Sequence, residues 1–371
     1  MKIAKFTLDG FYNYGNLLQS YALQSFLEKY NCEVDTIWHS KDNFLPHILG
    51  RKWSKKEYLK LIINWKEFRS RLFNGGLVKE CVRQEKLREW ALRNIHIRFD
   101  FDDLSIIDKE YDFCIVGSDQ VWNPTFDGYE KNFLPFISHE KRISYAASIS
   151  CSVIPEEKKK IYRDELLKFA YISMREQEGA DQIKEIIGKN VPVVADPTLL
   201  LTLEEWRMLS SQPDWYHGEE YILTYFLGKR PKVLASLEKE TGLKVINLLD
   251  KDVYGYYVMG PDEFLWAIEH ARLVYTDSFH GTVFSILFRT PFVVCNRIGR
   301  SVEEKMGSRI DTLLGYFCLE ARRGTKENGY VIENPLSEPD WSQVDEVLAR
   351  ERKRSDEYLR QALRVGEVQD L

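Results

Sequence analysis

Cysteine is scarce and dispersed in this sequence of 371 residues, and no two cysteines have the CxxC spacing. The six cysteines therefore favour reduced thiols, and they exclude a disulfide framework and a zinc site built on paired cysteines. The motifs HExxH and GxxxxGK[ST] are also absent. No metal site or P-loop nucleotide site is therefore predicted from residue spacing.

Excess positive charge and long apolar runs are lacking as well. The formal net charge of −5 argues against a general nucleic-acid binder, because such proteins depend on surplus lysine and arginine. No segment reaches the length of a membrane-spanning helix, and the start, MKIAKFTLDG, has no apolar core of a signal peptide. We therefore expect the protein to stay in the cytoplasm, where it is made, and to meet a membrane only from the side.

The sequence does contain short β-branched and aromatic runs that alternate with segments of helical periodicity. Strands are predicted at residues 2–7, 33–37, 112–116, 142–146, 170–174 and 191–195, and again at 221–227, 244–248, 273–276 and 292–295. Strands that alternate with helices predict parallel sheets covered on both faces. The length suggests about two domains, and we place their boundary near residues 197–220.

One basic segment, residues 51–72, stands apart from this alternation. It carries eight basic and two acidic residues, interleaved with aromatic and aliphatic ones. The pattern is typical of an amphipathic helix that lies on an anionic membrane surface. A packed surface helix with snorkelling lysines is the alternative, and the sequence leaves both open.

The peptide at residues 277–282, DSFHGT, is the strongest candidate for chemistry. It follows the apolar run LVYT and precedes a helical segment, so His280 is expected at the N-terminus of a helix and at a strand end. Backbone N–H groups at such a terminus favour an anion. The alternative is a capping turn whose histidine is satisfied by local hydrogen bonds.

Arginines near predicted strand ends form a second set of candidates. Arg297 and Arg309 follow the DSFHGT peptide, and Arg175 follows the predicted strand at 170–174. A planar guanidinium binds carboxylate or phosphate through two parallel hydrogen bonds, which suits a small anionic substrate. Ordinary surface charge is the alternative for the first two, and a pair with Glu176 or Glu178 is the alternative for Arg175.

Two polar clusters also follow predicted strands. In the first, NYGN followed by glutamine, a glycine allows close backbone approach to a ligand, while a simple helix cap is the alternative. In the second, GSDQVWNP, the tryptophan is expected either to stack on a sugar ring or to fill the core. The candidates are Asn13, Gly15, Asn16 and Gln19 in the first cluster and Ser118, Asp119, Gln120, Trp122 and Asn123 in the second.

Six motifs occur in a fixed order along the chain: NYGNLLQSYALQ, VGSDQVWNP, SYAASIS, ISMREQEG, VVADPTLLL and DSFHGTVFSILFRTPFVVCNR. Together they resemble the polysaccharide pyruvyltransferase family over residues 1 to about 320. The resemblance implies an α/β fold with two Rossmann-like domains facing a cleft, similar to GT-B glycosyltransferases, and a C-terminal helix packing back on the first domain. The expected divisions are 1–200, the acceptor side, 201–340, and a crossover helix within 341–371.

The resemblance also implies a reaction. Members transfer the enolpyruvyl group of phosphoenolpyruvate to two hydroxyls of a glycan or lipid-linked sugar, forming a pyruvate ketal in capsule or exopolysaccharide synthesis. By resemblance His280 is the functional histidine, and Arg175 is assigned to the anionic donor. We add Ser278, Arg297 and Arg309 to the donor side, and we expect neither a cofactor nor a metal ion, because pre-placed cations lower the cost of phosphate departure.

Two other functions remain open from the sequence. A nucleotide-sugar glycosyltransferase of the same architecture is the first, although no acidic pair is clearly placed for a nucleotide ribose. A catalytically silent scaffold that binds assembly partners through the basic segment is the second.

Overall fold

The computed structural model describes residues 1–38, 76–99, 101, 103–298 and 307–366. The basic segment at 51–72 lies outside these residues. In the described part of the chain, no helix is both long enough and apolar enough to cross a membrane.

The first domain is built on a parallel sheet of five strands in the order β3-β2-β1-β4-β5. Its strands are β1 (Lys2–Phe6), β2 (Glu33–Ile37), β3 (Ile97–Arg98), β4 (Phe113–Val116) and β5 (Arg142–Ser144). Its helices are α1 (Tyr14–Glu28), α2 (Gly76–Asn94), α3 (Ile107–Glu110), α4 (Glu156–Leu166) and α5 (Gln177–Ile187). The strand order is that of a Rossmann fold, and it reverses between β1 and β4.

The second domain is built on another parallel sheet of five strands, in the order β10-β9-β8-β6-β7. Its strands are β6 (Tyr221–Tyr225), β7 (Lys244–Asn247), β8 (Leu273–Thr276), β9 (Phe292–Cys295) and β10 (Arg323–Gly324). The helix α6 (Leu203–Leu209) precedes this sheet, and α7 (Leu234–Thr241), α8 (Tyr254–Tyr257), α9 (Pro261–Glu269), α10 (Phe279–Phe288) and α11 (Ser308–Phe317) lie within the domain. Its order reverses between β6 and β8, so each sheet offers a ligand crevice at the carboxyl ends of its strands.

Local sequence explains where several of these elements begin. Thr202 and Glu205 form a capping box at the start of α6, and Pro261 occupies the first turn of α9. All four residues of β8, LVYT, are buried, as expected for a parallel strand covered on both faces.

The last helix, α12 (Val344–Leu363), returns to the first domain. The Tyr358 hydroxyl donates to the backbone oxygen of Ser144 at 2.7 Å, and Arg352 donates to the backbone oxygens of Leu199 and Leu201. The predicted fold class is therefore confirmed: two parallel α/β domains with a C-terminal helix packed back on the first.

Two predicted strands, 170–174 and 191–195, are wrong as regular strands. The structure has isolated bridges there, which join Ile143 to Tyr171, Ala147 to Met174 and Met174 to Val193. Serine side chains take the place of ladder bonds, since Ser144 Oγ donates to the backbone oxygen of Ser173 and the backbone N–H of Ala146 donates to Ser173 Oγ at 3.1 Å. Such bonds compete with regular sheet pairing.

Candidate active site

His280 lies in the first turn of α10, directly after the carboxyl end of β8. Ser278 is the N-cap of this helix, and its hydroxyl accepts a hydrogen bond from the backbone N–H of Gly281 at 3.2 Å. This cap fixes the start of α10, where His280 faces the first domain. The imidazole is largely buried, with 7% of the residue exposed.

Gly15 of the first domain lies against the His280 ring. A Cβ atom added to Gly15 would fall 2.0 Å from His280 Nδ1, so only glycine fits at this position. Asn13 caps α1 by accepting from the backbone N–H of Gly15 at 2.9 Å. The first turn of α1 therefore approaches the histidine of the other domain, whereas the sequence suggested an approach to a ligand.

Asp196 links the two domains at this point. Its Oδ2 lies 3.7 Å from His280 Nε2 and accepts from Arg175 Nη1 at 3.0 Å. Its Oδ1 accepts from the backbone N–H and the hydroxyl of Thr198. Burial by itself would raise the pKa of Asp196, but His280, Arg175 and Thr198 lower it overall, so the carboxylate stays ionised.

Arg175 and Arg309 both lie close to the aromatic ring of Phe279. The Cζ atoms of Arg175 and Arg309 lie 4.7 Å and 5.8 Å from the ring centroid of Phe279. Burial opposes the charge of Arg175, yet Asp196 and Asp119 raise its pKa. Two guanidinium groups from different domains are thereby brought to Phe279, the residue before His280.

Arg309 is much less well compensated than Arg175. Among the described residues its one recorded hydrogen bond runs from Nη1 to the Ser150 hydroxyl at 3.3 Å, and its Nε is buried without an acceptor. Burial, with the nearby charge of Arg175, lowers the pKa of Arg309 to about 10. A buried cation in this position favours the binding of an anion.

Arg297 contacts Asp277, the first residue of the DSFHGT peptide. Its Nε lies 3.6 Å from Asp277 Oδ2. Asp277 accepts hydrogen bonds from the backbone N–H groups of Leu227 and Gly228, at 2.7 Å and 2.8 Å, and so ties the loop after β6 to the end of β8. Burial raises the pKa of Asp277, and Arg297 opposes this effect.

The polar residues after β1 and β4 form a connected group. Gln19 Nε2 donates to Thr7 Oγ1 at 2.9 Å, and Gln19 Oε1 accepts from the backbone N–H of Ser118 at 3.2 Å. Asn16 Nδ2 donates to the backbone oxygen of Leu8. Ser118 Oγ donates to Asp196 Oδ2 at 3.2 Å, so this group of polar residues helps to hold the Asp196 carboxylate in place.

Asp119 and Gln120 extend the site toward solvent on the first domain. Asp119 Oδ1 lies 3.7 Å from Arg175 Nη2 and accepts from the backbone N–H of Gln120 at 2.9 Å. Both residues also line an open cavity of the first domain.

Two sequence assignments need correction. Trp122 is fully buried, stacks on Phe133 at 5.7 Å and donates from Nε1 to the Asn132 backbone oxygen, so it fills the core and does not offer a face to a sugar. Asn123 is also buried and closes a turn by accepting from the Thr125 backbone N–H at 2.9 Å. The assignment of Ser278 to the donor side stays a prediction, because its hydroxyl accepts one hydrogen bond as the N-cap of α10 and keeps a hydrogen that can be donated to a ligand.

Sequence reasoning missed Asp196 and Phe279 as members of the site. Asp196 stood in the motif VVADPTLLL, where an aspartate before Pro-Thr is typical of a helix cap, and it does cap the short turn Pro197–Leu199. Its ion pairs with Arg175 and His280 depend on residues that are distant in the sequence. Phe279 looked like one more apolar helix residue.

The described residues contain no group of three or more histidine, cysteine, aspartate and glutamate side chains arranged to hold a metal ion. The charged groups of the site are instead guanidinium, imidazole and carboxylate. These can bind an anion, hold it in a fixed orientation and transfer a proton.

A comparison with known protein families identifies one that matches this chain. The family described as polysaccharide pyruvyl transferase matches residues 13–298. A search of curated proteins gave no match.

Several solved structures are similar in fold. The UDP-GlcNAc 2-epimerase from Neisseria meningitidis bound to UDP-GlcNAc has 10% identity and a TM-score of 0.43, over 95% of this chain and 100% of that chain. MurG from Acinetobacter baumannii has 12% identity and a TM-score of 0.40, over 99% and 96%. MnaA from S. aureus with UDP has 11% identity and a TM-score of 0.45, over 100% and 99%.

Proposed function

The chain belongs to the polysaccharide pyruvyl transferase family, and from this premise we propose that it transfers the enolpyruvyl group of phosphoenolpyruvate to two hydroxyls of a glycan or lipid-linked sugar. The product is a cyclic pyruvate ketal, and inorganic phosphate is released. The observation that carries the proposal is the buried cluster of Arg175, Arg309, His280 and Asp196 between the two domains.

Phosphoenolpyruvate carries a phosphate and a carboxylate, and in the proposal the arginines bind both groups. Arg175 is held by Asp196, which fixes its guanidinium, whereas among the described residues Arg309 donates one hydrogen bond, to a serine hydroxyl. In the proposal Arg309 therefore receives the greater share of the donor's negative charge. Arg297 contacts Asp277 and, in the proposal, adds positive electrostatic potential to the donor site near Arg309.

His280 supplies the proton chemistry. In the proposal its Nε2 protonates the methylene carbon of phosphoenolpyruvate, which makes C2 electrophilic for attack by the first sugar hydroxyl. Asp196 Oδ2 lies 3.7 Å from Nε2, where it can help to orient the ring. Gly15 lets the ring sit close to the helix backbone, so its orientation is fixed from the other side.

The bonds balance without an oxidant or a cofactor. One C–H bond forms at the methylene carbon, two C–O bonds form between C2 and the sugar oxygens, and the C2–O bond to phosphate breaks. The first hydroxyl loses its proton to the base formed at His280, which replaces the proton given to carbon. The second hydroxyl proton leaves with the phosphate or the solvent.

The proposal includes the setting that the family resemblance implies, namely capsule or exopolysaccharide synthesis from the cytoplasmic side. The basic segment at 51–72 is proposed to bring the enzyme to lipid-carried acceptors. Vesicle sedimentation checks this part: anionic vesicles are expected to bind the wild-type protein, and charge reversal at Lys55, Lys56 and Lys60 is expected to release it.

The test of the reaction uses purified protein, phosphoenolpyruvate and a panel of glycan acceptors. We expect phosphate release and a product heavier by one pyruvate less one water. Phosphoenolpyruvate is also expected to raise the melting temperature, because a ligand that binds only the folded state stabilises it. His280→Gln should keep that thermal shift and lose turnover. Stabilisation by UDP, GDP or CMP without any effect of phosphoenolpyruvate would instead indicate a nucleotide-sugar glycosyltransferase.

A further inference from the structure

Glu176 is a buried carboxylate beside the arginine cluster, and the proposed reaction does not use it. It is 2% exposed and occupies the N-cap position of α5, directly after Arg175. Its side chain does not cap that helix. Instead, Oε1 accepts hydrogen bonds from the Ser148 hydroxyl at 2.7 Å and from the backbone N–H of Ile149 at 3.2 Å. These bonds offset the cost of burying the charge and fix the carboxylate against the loop after β5.

Two hydroxyl groups, those of Ser148 and Ser150, form a serine relay between this carboxylate and Arg309. The two Oγ atoms lie 2.7 Å apart, and Ser150 Oγ accepts from Arg309 Nη1 at 3.3 Å. A hydroxyl carries one hydrogen. Because the Ser148 hydroxyl donates to Glu176, it accepts from the Ser150 hydroxyl. The hydrogen bonds therefore run in one direction, from the guanidinium of the second domain to the carboxylate of the first.

Two backbone positions are adapted to this relay. Ser150 has a φ of 51°, in the left-handed region that glycine adopts more readily than serine. A residue held in such a conformation is fixed by its surroundings, here by the two hydrogen bonds of its hydroxyl. Gly179 lies in α5, where a Cβ atom would fall 3.3 Å from Glu176 Oε1 and 2.9 Å from Met174 Cε. This glycine therefore leaves room for the carboxylate.

The charges around Arg309 show why its side chain needs an anchor. Burial and the charge of Arg175 lower the pKa of Arg309, while the carboxylates of Asp119 and Glu176 oppose that shift. Glu176 Oε2 also lies 3.7 Å from Arg175 Nε, so the same carboxylate attracts both guanidinium groups. A cation that is held in one orientation before its ligand arrives loses less conformational entropy on binding.

We propose that Glu176 is a positioning residue, which holds the Arg309 guanidinium through the serine relay in the orientation that receives the donor anion. That this anion is phosphoenolpyruvate rests on the proposed function. The orientation of Arg309 can be observed without any ligand.

The first experiment titrates phosphoenolpyruvate calorimetrically into two variants of Glu176. Glu176→Gln and Glu176→Leu both remove the charge, but only glutamine keeps an oxygen that accepts from the relay. Glu176→Gln should bind at least as tightly as the wild type, because the lost charge no longer competes with the donor for the arginines. Glu176→Leu should bind about tenfold more weakly than Glu176→Gln. Equal affinities of these two variants would contradict the relay.

The matched control is Glu351, another buried glutamate, which accepts from Arg350 Nε at 3.1 Å in α12. Glu351→Gln and Glu351→Leu should bind phosphoenolpyruvate with equal affinity, whatever their stabilities. A tenfold difference between them as well would mean that the loss in Glu176→Leu follows from disturbed packing, and it would overturn the assignment.

The second experiment removes the middle of the relay. Ser150→Ala and Ser150→Gly both lack the hydroxyl, but glycine suits the positive φ, so Ser150→Gly should have the higher melting temperature. Both should raise KM for phosphoenolpyruvate about tenfold and change kcat less, since the relay acts on donor binding. If the rise in KM followed the loss of stability, and were absent in Ser150→Gly, the hydroxyl would be structural only.

Crystal structures of the wild-type protein and of Ser150→Gly, both without ligand, give a test that does not depend on the donor. The Arg309 guanidinium should be ordered in the wild type and displaced or disordered in the variant. An unmoved guanidinium would overturn the inference. Failure of the proposed function would appear separately, as a wild-type protein that does not bind phosphoenolpyruvate, and the position of Arg309 would still decide whether Glu176 holds it.

Discussion

Arg309 and Arg322 are both buried arginines whose pKa burial lowers to about 10, but their contacts differ. Arg322 donates to the backbone oxygens of Phe292, Pro335 and Ser337. Arg309 has one serine hydroxyl among the described residues. At the scale of single residues, this contrast separates a guanidinium that supports the fold from one that is available to a ligand.

The contrast predicts opposite effects of replacing the two arginines by methionine. Arg309→Met removes a poorly compensated buried charge, so the unliganded protein should gain about 1–3 kcal/mol of stability and lose its stabilisation by phosphoenolpyruvate. Arg322→Met leaves carbonyl groups without donors, so it should lose stability and keep the ligand effect. Melting temperatures with and without phosphoenolpyruvate check both variants. A loss of stability in Arg309→Met would mean that this arginine is structural.

Gly15 gives a second prediction at this scale, because a methyl group there would collide with His280. Gly15→Ala should lower turnover strongly while the fold persists, since alanine favours the helix by about 1 kcal/mol relative to glycine. Gly315→Ala is the matched control, because its Cβ would meet Glu320 Oε1 at an ordinary 3.8 Å. Turnover and melting temperature are compared for both. Full activity in Gly15→Ala would show that the position of the imidazole is not critical.

The Asp196 carboxylate predicts a dependence of stability on pH. Burial opposes its charge, but His280 and Arg175 hold its pKa below the usual value. A lowered carboxyl pKa stabilises the fold above the unfolded pKa of about 4, and this contribution is lost as the pH falls toward the folded value. Asp196→Asn should therefore cost about 3–5 kcal/mol at pH 7 and at pH 5, and less below pH 4. Denaturant titrations across this range measure it, and a difference that disappears by pH 6 would contradict it.

Single residues were predictable where one local rule decides them. His280 at a strand end followed from an apolar run, a capping serine and a helix. Asp196 was not predictable, because its ion pairs depend on Arg175 and on a turn from the other domain. Trp122 illustrates the same gap: an aromatic residue in a polar loop fits either environment until the surrounding aromatic side chains are known.

At the scale of elements, regular parallel strands were predicted well because burial on both faces leaves a continuous apolar run. The runs at β4 and β8 show this. The segments at 170–174 and 191–195 have similar composition but form isolated bridges, and at 170–174 serine hydroxyls take the place of some backbone partners. The periodicity of the sequence cannot reveal such side-chain hydrogen bonds, because they depend on which side chain lies next to which backbone group in the fold.

The helix α12 supports the segment that carries Asp196, and this gives a prediction about an element. The backbone N–H of Ala195 donates to Ser355 Oγ at 3.2 Å, and the Ala195 oxygen accepts from the Tyr145 hydroxyl at 2.9 Å. Ser355→Ala should cost about 1–3 kcal/mol, because it leaves a buried N–H unsatisfied, and it should also reduce turnover by loosening Asp196. Ser342→Ala, at an exposed serine just before the helix, is the control. Equal melting temperatures for the two variants would contradict this support.

At the scale of the whole molecule, the two domains share one hydrophobic cluster. It includes Ile3 and Tyr14 of the first domain, Phe264 and Phe284 of the second, and Leu359 of α12. The Tyr14 ring stacks on Phe264 with a centroid separation of 4.5 Å. Independent motion of domains is the usual expectation unless their interface is large and apolar, and this interface is apolar and contains the site itself.

We therefore expect calorimetry of the wild-type protein to show one unfolding transition for both domains. Tyr14→Ala removes a fully buried ring at the interface, so it should cost about 3–5 kcal/mol and split the transition in two. Phe133→Ala removes a ring from the cluster internal to the first domain, and it should lower the temperature of a single transition without dividing it. Two transitions in the wild type would mean that the domains unfold separately. The alignment of His280 with Asp196 would then depend on the bound ligand, since the shared core would no longer hold the two halves of the site together.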